Sequence, residues 1–279
     1  METTSVELSV ALCTYNGARY IGELLESIVH QTVPPGEIVA RDDGSTDDTL
    51  AIVSEYAARY PAIRWDVVRN EERLGVRRNF EEAIRRTSGR YIALADQDDV
   101  WEPDKLEVLL RHMREKRVAL AHSDVSLVDR EGRPIPAAGT GLPRERTLDD
   151  YVLGANNVIG CTCLFDSALK AYAFPFPRYY FYHDQWLAIF ACRHGGIYRE
   201  ERALVRYRLH GDNVVGLLGE GKRDAMSRKY FVGKARDLWL LARRRPELGY
   251  SFRVYVRLLW QCFTCYSGLA YLKYRLRSR

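Results

Sequence analysis

Hydrophobic and polar positions alternate in blocks along the first hundred residues and predict strands and helices in turn. From Val6 to Leu12 the residues alternate and then run apolar, which predicts a strand ending in Cys13-Thr14-Tyr15-Asn16-Gly17. Tyr20, Leu24, Leu25, Ile28 and Val29 recur at helical spacing until Pro34-Pro35 stops the helix. A second strand, Glu37 to Arg41, runs into Asp42-Asp43-Gly44-Ser45-Thr46-Asp47 and a helix from Asp48 to Tyr60. Ile63 to Val68 reads as a third strand, Asn79 to Thr87 as a helix, and Arg90 to Ala95 as a fourth strand. Strands alternating with helices imply an α/β fold with a mostly parallel sheet, whose ligands bind beyond the carboxyl ends of the strands. Three polar clusters fall at such ends.

The pattern is less regular afterwards. Val118 to Val128 reads as a strand pair, Arg130 to Pro134 as a turn, Leu148 to Leu153 as a helix, and the segment through Phe165 as a short strand. Phe174 to Phe181 is rich in aromatic residues and proline, and suits an ordered wall better than regular structure. A helix from Leu187 to His194 ends at Gly195-Gly196, and Ala203 to Arg208 reads as a last strand. Beyond it, Tyr230 to Leu241 and Phe252 to Leu276 read as amphipathic helices in which basic residues flank aromatic ones. The expected division is therefore a sheet domain over 1–216 and a basic, aromatic helical appendage over 217–279.

Composition adds three constraints. A hydrophobic content of 47% over 279 residues suffices for one large core with an appendage. Net charge is +5, but from Gly221 onward there are 15 Lys/Arg against 3 Asp/Glu, so the body is acidic and the tail basic. The six cysteines include Cys161 and Cys163 one residue apart and Cys262 and Cys265 at i,i+3, without a set spaced for zinc; reduced thiols are expected. Met1 to Val10 carries neither a basic region nor a long apolar run, and no stretch approaches the ~20 apolar residues of a membrane span, so a cytoplasmic protein is expected.

The chemistry concentrates in Tyr91-Ile92-Ala93-Leu94-Ala95-Asp96-Gln97-Asp98-Asp99-Val100-Trp101. An apolar strand passes here directly into three carboxylates, which repel one another unless a cation lies between them. A hard divalent ion together with phosphate oxygens is the usual partner. The plainer reading is a polar loop in which Asp99 or Asp104 caps the next helix. Neither GxGxxG nor a P-loop is present, which disfavours the dinucleotide dehydrogenases and P-loop kinases.

Seven segments in order, ALCTYNG, Gln31 ahead of the second strand, ARDDGSTDDT, RLGVRRNF, ALADQDDVW, HDQW and YRLHGDN, resemble the family 2 glycosyltransferases of the GT-A fold. The resemblance extends over residues 6 to 216 and is strongest to the bacterial rhamnosyltransferase-like branch that builds surface polysaccharides. It implies that Thr14, Tyr15, Asp42 and Asp43 hold the base and ribose of a nucleotide sugar, one of the acids or Asp47 instead capping a helix. It also implies that Arg77 or Arg78 reaches the diphosphate. Asp96 would lie near the ribose or a metal-bound water, and Asp98 would bind Mg²⁺ or Mn²⁺ and bridge to the diphosphate, with His210 as a further metal ligand or diphosphate contact. Asp184 is implied as the base that deprotonates the acceptor hydroxyl in an inverting transfer, with His183 as rival and helix capping as the structural alternative. Asp99, His183 and Trp186 are expected at the acceptor, Asp99 alternatively as a helix cap, and Trp186 with the aromatic run as a stacking wall or as core.

A dTDP or UDP donor is implied, with rhamnose as the sugar, and a saccharide or lipid-linked saccharide as acceptor. The tail suits an anionic membrane surface at the inner face of the plasma membrane, an oligomer contact, or packing on the sheet domain. Nothing resembles a nucleic-acid reading head, so nucleic acid is not an expected partner. Two other classes remain: a nucleotidyltransferase, which would normally carry a glycine-rich loop with a lysine after the first strand, and a catalytically silent nucleotide-sugar-binding module.

Overall fold

The computed structural model of the protein describes residues 6–136, 145–179, 182–210 and 228–266. The first half follows the expected alternation: β1 (Leu8–Thr14), α1 (Ile21–Val29), β2 (Glu37–Asp42), α2 (Thr49–Arg59), β3 (Arg64–Arg69), α3 (Val76–Arg86) and β4 (Tyr91–Asp96). A two-residue strand, β5 (Val100–Trp101), and α4 (Lys105–Lys116) follow. The remainder comprises β6 (Leu120–Val128), α5 (Leu148–Val152), β7 (Cys163–Asp166), α6 (Lys170–Ala173), α7 (His183–His194) and β8 (Ile197–Arg208), then α8 (Arg228–Arg243), α9 (Arg245–Leu248) and α10 (Phe252–Tyr266).

One eight-stranded sheet runs in the order β3-β2-β1-β4-β7-β6-β8-β5. Its first four strands are parallel, with Thr14 level with Asp42 and Cys13 level with Asp96, so three polar strand ends lie side by side. Beyond β4, β7 is antiparallel to both β4 and β6, while β6 and β8 are parallel.

Four expected elements differ, the first being α3, which starts at Val76 directly after Gly75 and not at Asn79. Val118 to Val128 is one strand and not a pair, because its partners come from β7 and β8, far along the chain. β8 starts at Ile197 and not at Ala203, its longer run accommodated by register shifts on either side of Asp124. α7 starts at His183 and not at Leu187, since Tyr182 is extended and the helical turn closes immediately after it.

The pleat distributes the core. Leu8, Val10 and Leu12 of β1 and Tyr91, Ala93 and Ala95 of β4 join α1, α2 and α4 in one cluster. Ala11, Ile92 and Leu94 point the other way, to α3 and α7. By the same alternation Asp96 leaves the strand on the α3/α7 side. The C-terminal helices complete this second core through Leu238, Leu241, Leu248, Tyr250, Val254 and Leu258. That area is worth about 1.5–3 kcal/mol per fully buried large aliphatic side chain, so these helices are part of the packed body rather than a free appendage. Among the described residues, no helix is long and apolar enough to cross a membrane.

Candidate active site

The site is assembled where β1, β2 and β4 end. Asp42 is buried and accepts from Thr14 Oγ1 at 2.9 Å, from the Ser45 amide at 2.8 Å, from the Gly44 amide at 3.2 Å and from the Ser45 hydroxyl. Its oxygens shape the turn after β2. Asp43 accepts from the amides of Leu74 at 2.6 Å and Gly75 at 2.9 Å and from Asn70 Nδ2 at 3.0 Å. Gly75 holds φ of 76° as the residue preceding α3, a conformation that glycine adopts without steric cost. Asp43 therefore draws the loop before α3 over the tip of β2.

That loop and the β1 end enclose a cleft of about 550 Å³ lined by Tyr15, Asp43, Gly44, Asn70 and the loop from Arg69 to Arg73. The Arg73 guanidinium lies 3.8 Å from the Tyr15 ring centroid. Tyr15 is fixed from behind by Gln97, whose Oε1 accepts from the Tyr15 amide at 2.8 Å while its Nε2 donates to the Tyr15 carbonyl at 2.9 Å. The middle residue of Asp96-Gln97-Asp98 thus locks the acidic tip of β4 to the end of β1, and Gly17 leaves room for it, since a Cβ there would collide with the Gln97 amide.

Asp96 is half-buried, and burial, then Asp98 and Asp184, push its pKa up to about 7. Asp184, in the first turn of α7, is raised to about 6 by burial, against the lowering effects of amide hydrogen bonds from Gln185 and Gly160 and of the Arg77 charge. The Gln185 amide donates to it at 2.6 Å. Its position depends on the loop before β7: Gln185 Nε2 donates to the Tyr151 carbonyl at 2.8 Å, and the Tyr151 hydroxyl meets Asn157 Oδ1 at 2.6 Å. Arg77 packs its guanidinium 4.1 Å from the Tyr182 ring centroid at the same helix end, while Arg78 is exposed.

Asp98 Oδ2 and His210 Nε2 meet at 2.7 Å, and the His210 ring stacks on Tyr20 with centroids 5.1 Å apart. A carboxylate oxygen beside an imidazole nitrogen is a donor pair suited to a divalent ion of intermediate softness. A second group, Asp96, Asp99 and Cys161, brings ligand atoms within 4.8 Å of one another. It fits a divalent ion less well. Burial pushes the Cys161 thiol well above its ordinary value, and the fully buried Lys105 fills the space beside the trio, its Nζ donating to the Cys161 carbonyl at 2.5 Å and its pKa lowered by burial to about 7.

The three residues expected at the acceptor lie inside the protein. Trp186 is core, donating from Nε1 to the Ala173 carbonyl at 2.7 Å and meeting Phe190 edge-on, so its ring is not a free stacking wall. His183 is buried with its ring 4.0 Å from that of Phe80, and burial drives its pKa down to about 3, which disfavours it as a proton acceptor. Asp99 is buried and accepts from the Arg208 amide at 3.2 Å rather than capping α4.

Arg208, within the YRLHGDN segment, ties the tip of β4 to the rest of the site. Its buried side chain donates from Nε to the Asp98 carbonyl at 2.9 Å, from one terminal nitrogen to the Arg130 carbonyl at 3.2 Å and from the other to Glu23 Oε2 at 2.7 Å. Gln97, Lys105 and Arg208 were legible only as a polar residue within the acid cluster, a lysine four residues after Trp101 and an arginine two residues before His210. Gln31 acts at a distance: it joins α1 to the start of α4 through the Glu102 carbonyl and the Leu106 amide, at 2.7 Å and 2.9 Å.

Comparison with known proteins adds kinship to this geometry. A model of the family described as "Glycosyl transferase family 2" matches residues 9–171. The putative teichuronic acid biosynthesis glycosyltransferase TuaG of Bacillus subtilis is 35% identical over 154 residues, 55% of this chain and 59% of its own length. Chondroitin synthase of Escherichia coli is 36% identical over 129 residues, 46% of this chain but 18% of its own. The chain thus spans less than two thirds of the length of either. Residues 1–349 of S. aureus TarS, solved with UDP-GlcNAc, superpose with a TM-score of 0.67 at 19% identity, covering 93% of this chain and 72% of that one. The mannosyltransferase PcManGT of Pyrobaculum calidifontis, solved with GDP-Man and Mn²⁺, gives 0.55 at 20% identity, covering 96% and 75%. These two likenesses are of fold, and the fold is of the GT-A type.

Proposed function

For a chain that belongs to glycosyl transferase family 2, we propose transfer of a sugar from a nucleoside-diphosphate donor to a saccharide hydroxyl, with inversion at the anomeric carbon and Asp184 as general base. One observation carries this reading. A carboxylate held by two backbone amides at the start of α7 stands close enough to the tip of β4 that Asp96 feels its charge. Thr14, Asp42 and Asp43 shape the neighbouring strand ends, and the cleft at Tyr15 and Asp43 offers the donor's base and ribose an aromatic face and hydrogen-bond acceptors.

At a pKa of about 6, Asp184 is largely ionised at neutral pH yet basic enough to take a proton from an alcohol as its oxygen attacks. The proton moves to the Asp184 carboxylate, the acceptor oxygen bonds to the anomeric carbon, and the bond from that carbon to the diphosphate oxygen breaks. Arg77, whose charge acts on Asp184, would meet negative charge on the donor. Asp98 and His210 would hold Mg²⁺ or Mn²⁺, with Asp96 near enough to Asp98 to feel its charge. Such an ion, when bound, neutralises charge on the diphosphate leaving group.

A UDP or dTDP donor is favoured, UDP by analogy with the TarS complex and dTDP-rhamnose by the sequence motifs. The teichuronic acid and chondroitin relatives favour a cell-surface polysaccharide as product and a saccharide or lipid-linked saccharide as acceptor. The test is Asp184→Asn. Transfer should fall by about 10²-fold or more while donor affinity, measured by calorimetry, stays within about twofold. An equal loss of donor affinity would remove Asp184 from the role of base.

A further inference from the structure

The outward faces of α8 and α10 carry apolar side chains that neither the core nor the cleft uses. On α10, Phe252, Val256, Trp260 and Phe263 are 65%, 50%, 65% and 58% exposed. Their spacing places them on one stripe of the helix, away from Val254, Leu258 and Cys265, which are buried. On α8, with which α10 packs, Trp239 and Leu240 are 49% and 46% exposed while Leu238, Leu241 and Ala242 point inward. Folded proteins seldom leave two tryptophans and a phenylalanine such as Trp239, Trp260 and Phe263 this exposed.

Charge distinguishes the partner. Arg236 and Arg243 flank the exposed residues of α8, and Arg253 and Arg257 border the stripe on α10; all four are exposed and none forms an ion pair among the described residues. α10 contains no acidic residue, and the one acid of α8, Asp237, is buried and accepts from the Tyr179 amide at 2.6 Å. Among the described residues of α8 and α10, the outward face is aromatic and cationic and carries no acid.

We propose that the outward face of α8 and α10 seats the protein on a membrane surface containing anionic phospholipid, the helices lying in the interface with rings among the acyl boundary and guanidinium groups at the phosphates. This combination of exposed rings with uncompensated arginine fits a lipid headgroup layer. A second copy would bring four arginines against four more with no acid on the outward faces of α8 and α10 to meet them. The proposal is independent of the transfer chemistry, because binding is read without donor or acceptor.

The experiment is flotation of the full-length chain with phosphatidylcholine vesicles and with mixed phosphatidylcholine–phosphatidylglycerol vesicles. The wild type should partition onto the mixed vesicles at least about tenfold more than onto the neutral ones. Arg253→Gln combined with Arg257→Gln should weaken partitioning by roughly fivefold per charge, and Trp260→Ser combined with Phe263→Ser should abolish it. All four positions are exposed, so the unfolding midpoint should not move. Equal binding to both vesicle types, or variants that bind as the wild type does, would overturn the proposal. So would a sedimenting dimer, or a complex with an acidic protein, that Trp260→Ser abolishes while vesicle binding is absent.

Discussion

Replacing Arg208 by methionine should loosen the acidic tip of β4 without touching the cleft. The side chain is 2% exposed and, among the described residues, donates to the carbonyls of Asp98 and Arg130 and to Glu23. Methionine fills much of the same space but donates nothing. Glu23 is 59% exposed, so it regains water when the pair is lost and that interaction is worth under about 1 kcal/mol. The two carbonyls sit in partly buried surroundings, and leaving them unpaired costs about 1–3 kcal/mol each where water does not enter. A loss of about 2–4 kcal/mol is expected, seen as a fall of about 1 M in the urea midpoint at a slope of about 3 kcal/mol/M. Glu23→Gln should cost under about 1 kcal/mol, and Arg208→Lys, which lacks the planar fork, should recover only part of the loss. Because Asp98 is pinned through its carbonyl, donor binding in the presence of Mn²⁺ should weaken more than binding without it. Arg208→Met stability within about 0.5 kcal/mol of the wild type, or a Glu23→Gln loss equal to that of Arg208→Met, would refute the argument.

Asp184 must be ionised to act, and burial raises its pKa to about 6, so the acid limb of the rate profile should break near pH 6 and level off above it; a break near the ordinary carboxylate value of about 4 would contradict the assignment. Removal of divalent ions with excess chelator should weaken donor binding measured by calorimetry, and unchanged affinity would take Asp98 and His210 out of metal binding. Gly17→Ala should destabilise by about 1–3 kcal/mol because its methyl group collides with Gln97, whereas Gly17→Ala in a Gln97→Ala background should add little beyond the second change alone; strictly additive losses in denaturant unfolding would show that the two do not meet.

What the sequence determined by itself is whatever has short range. The alternating runs of β1, β2 and β4 and the helical spacing of α1 and α2 carry their own period, and each strand's switch to polar residues marks the end at which the site forms. Parallel pairing then sets Thr14 beside Asp42 and Cys13 beside Asp96 with little freedom left. Tertiary structure decided what depends on residues far apart in the chain. β6 finds its partners in β7 and β8, so no local pattern could show that it stands alone and not as half of a hairpin. Trp186 and His183 lie beside Asp184 in the sequence, but helical geometry turns them into the core while the carboxylate is held by the amides of Gln185 and Gly160. Arg208 lies 110 residues from the Asp98 carbonyl it holds, and Lys105 reaches the carbonyl of Cys161 across 56. A lone basic residue in a sequence carries no sign of whether it will meet water or a buried carbonyl; only the close approach of distant strands removes the water and makes the choice.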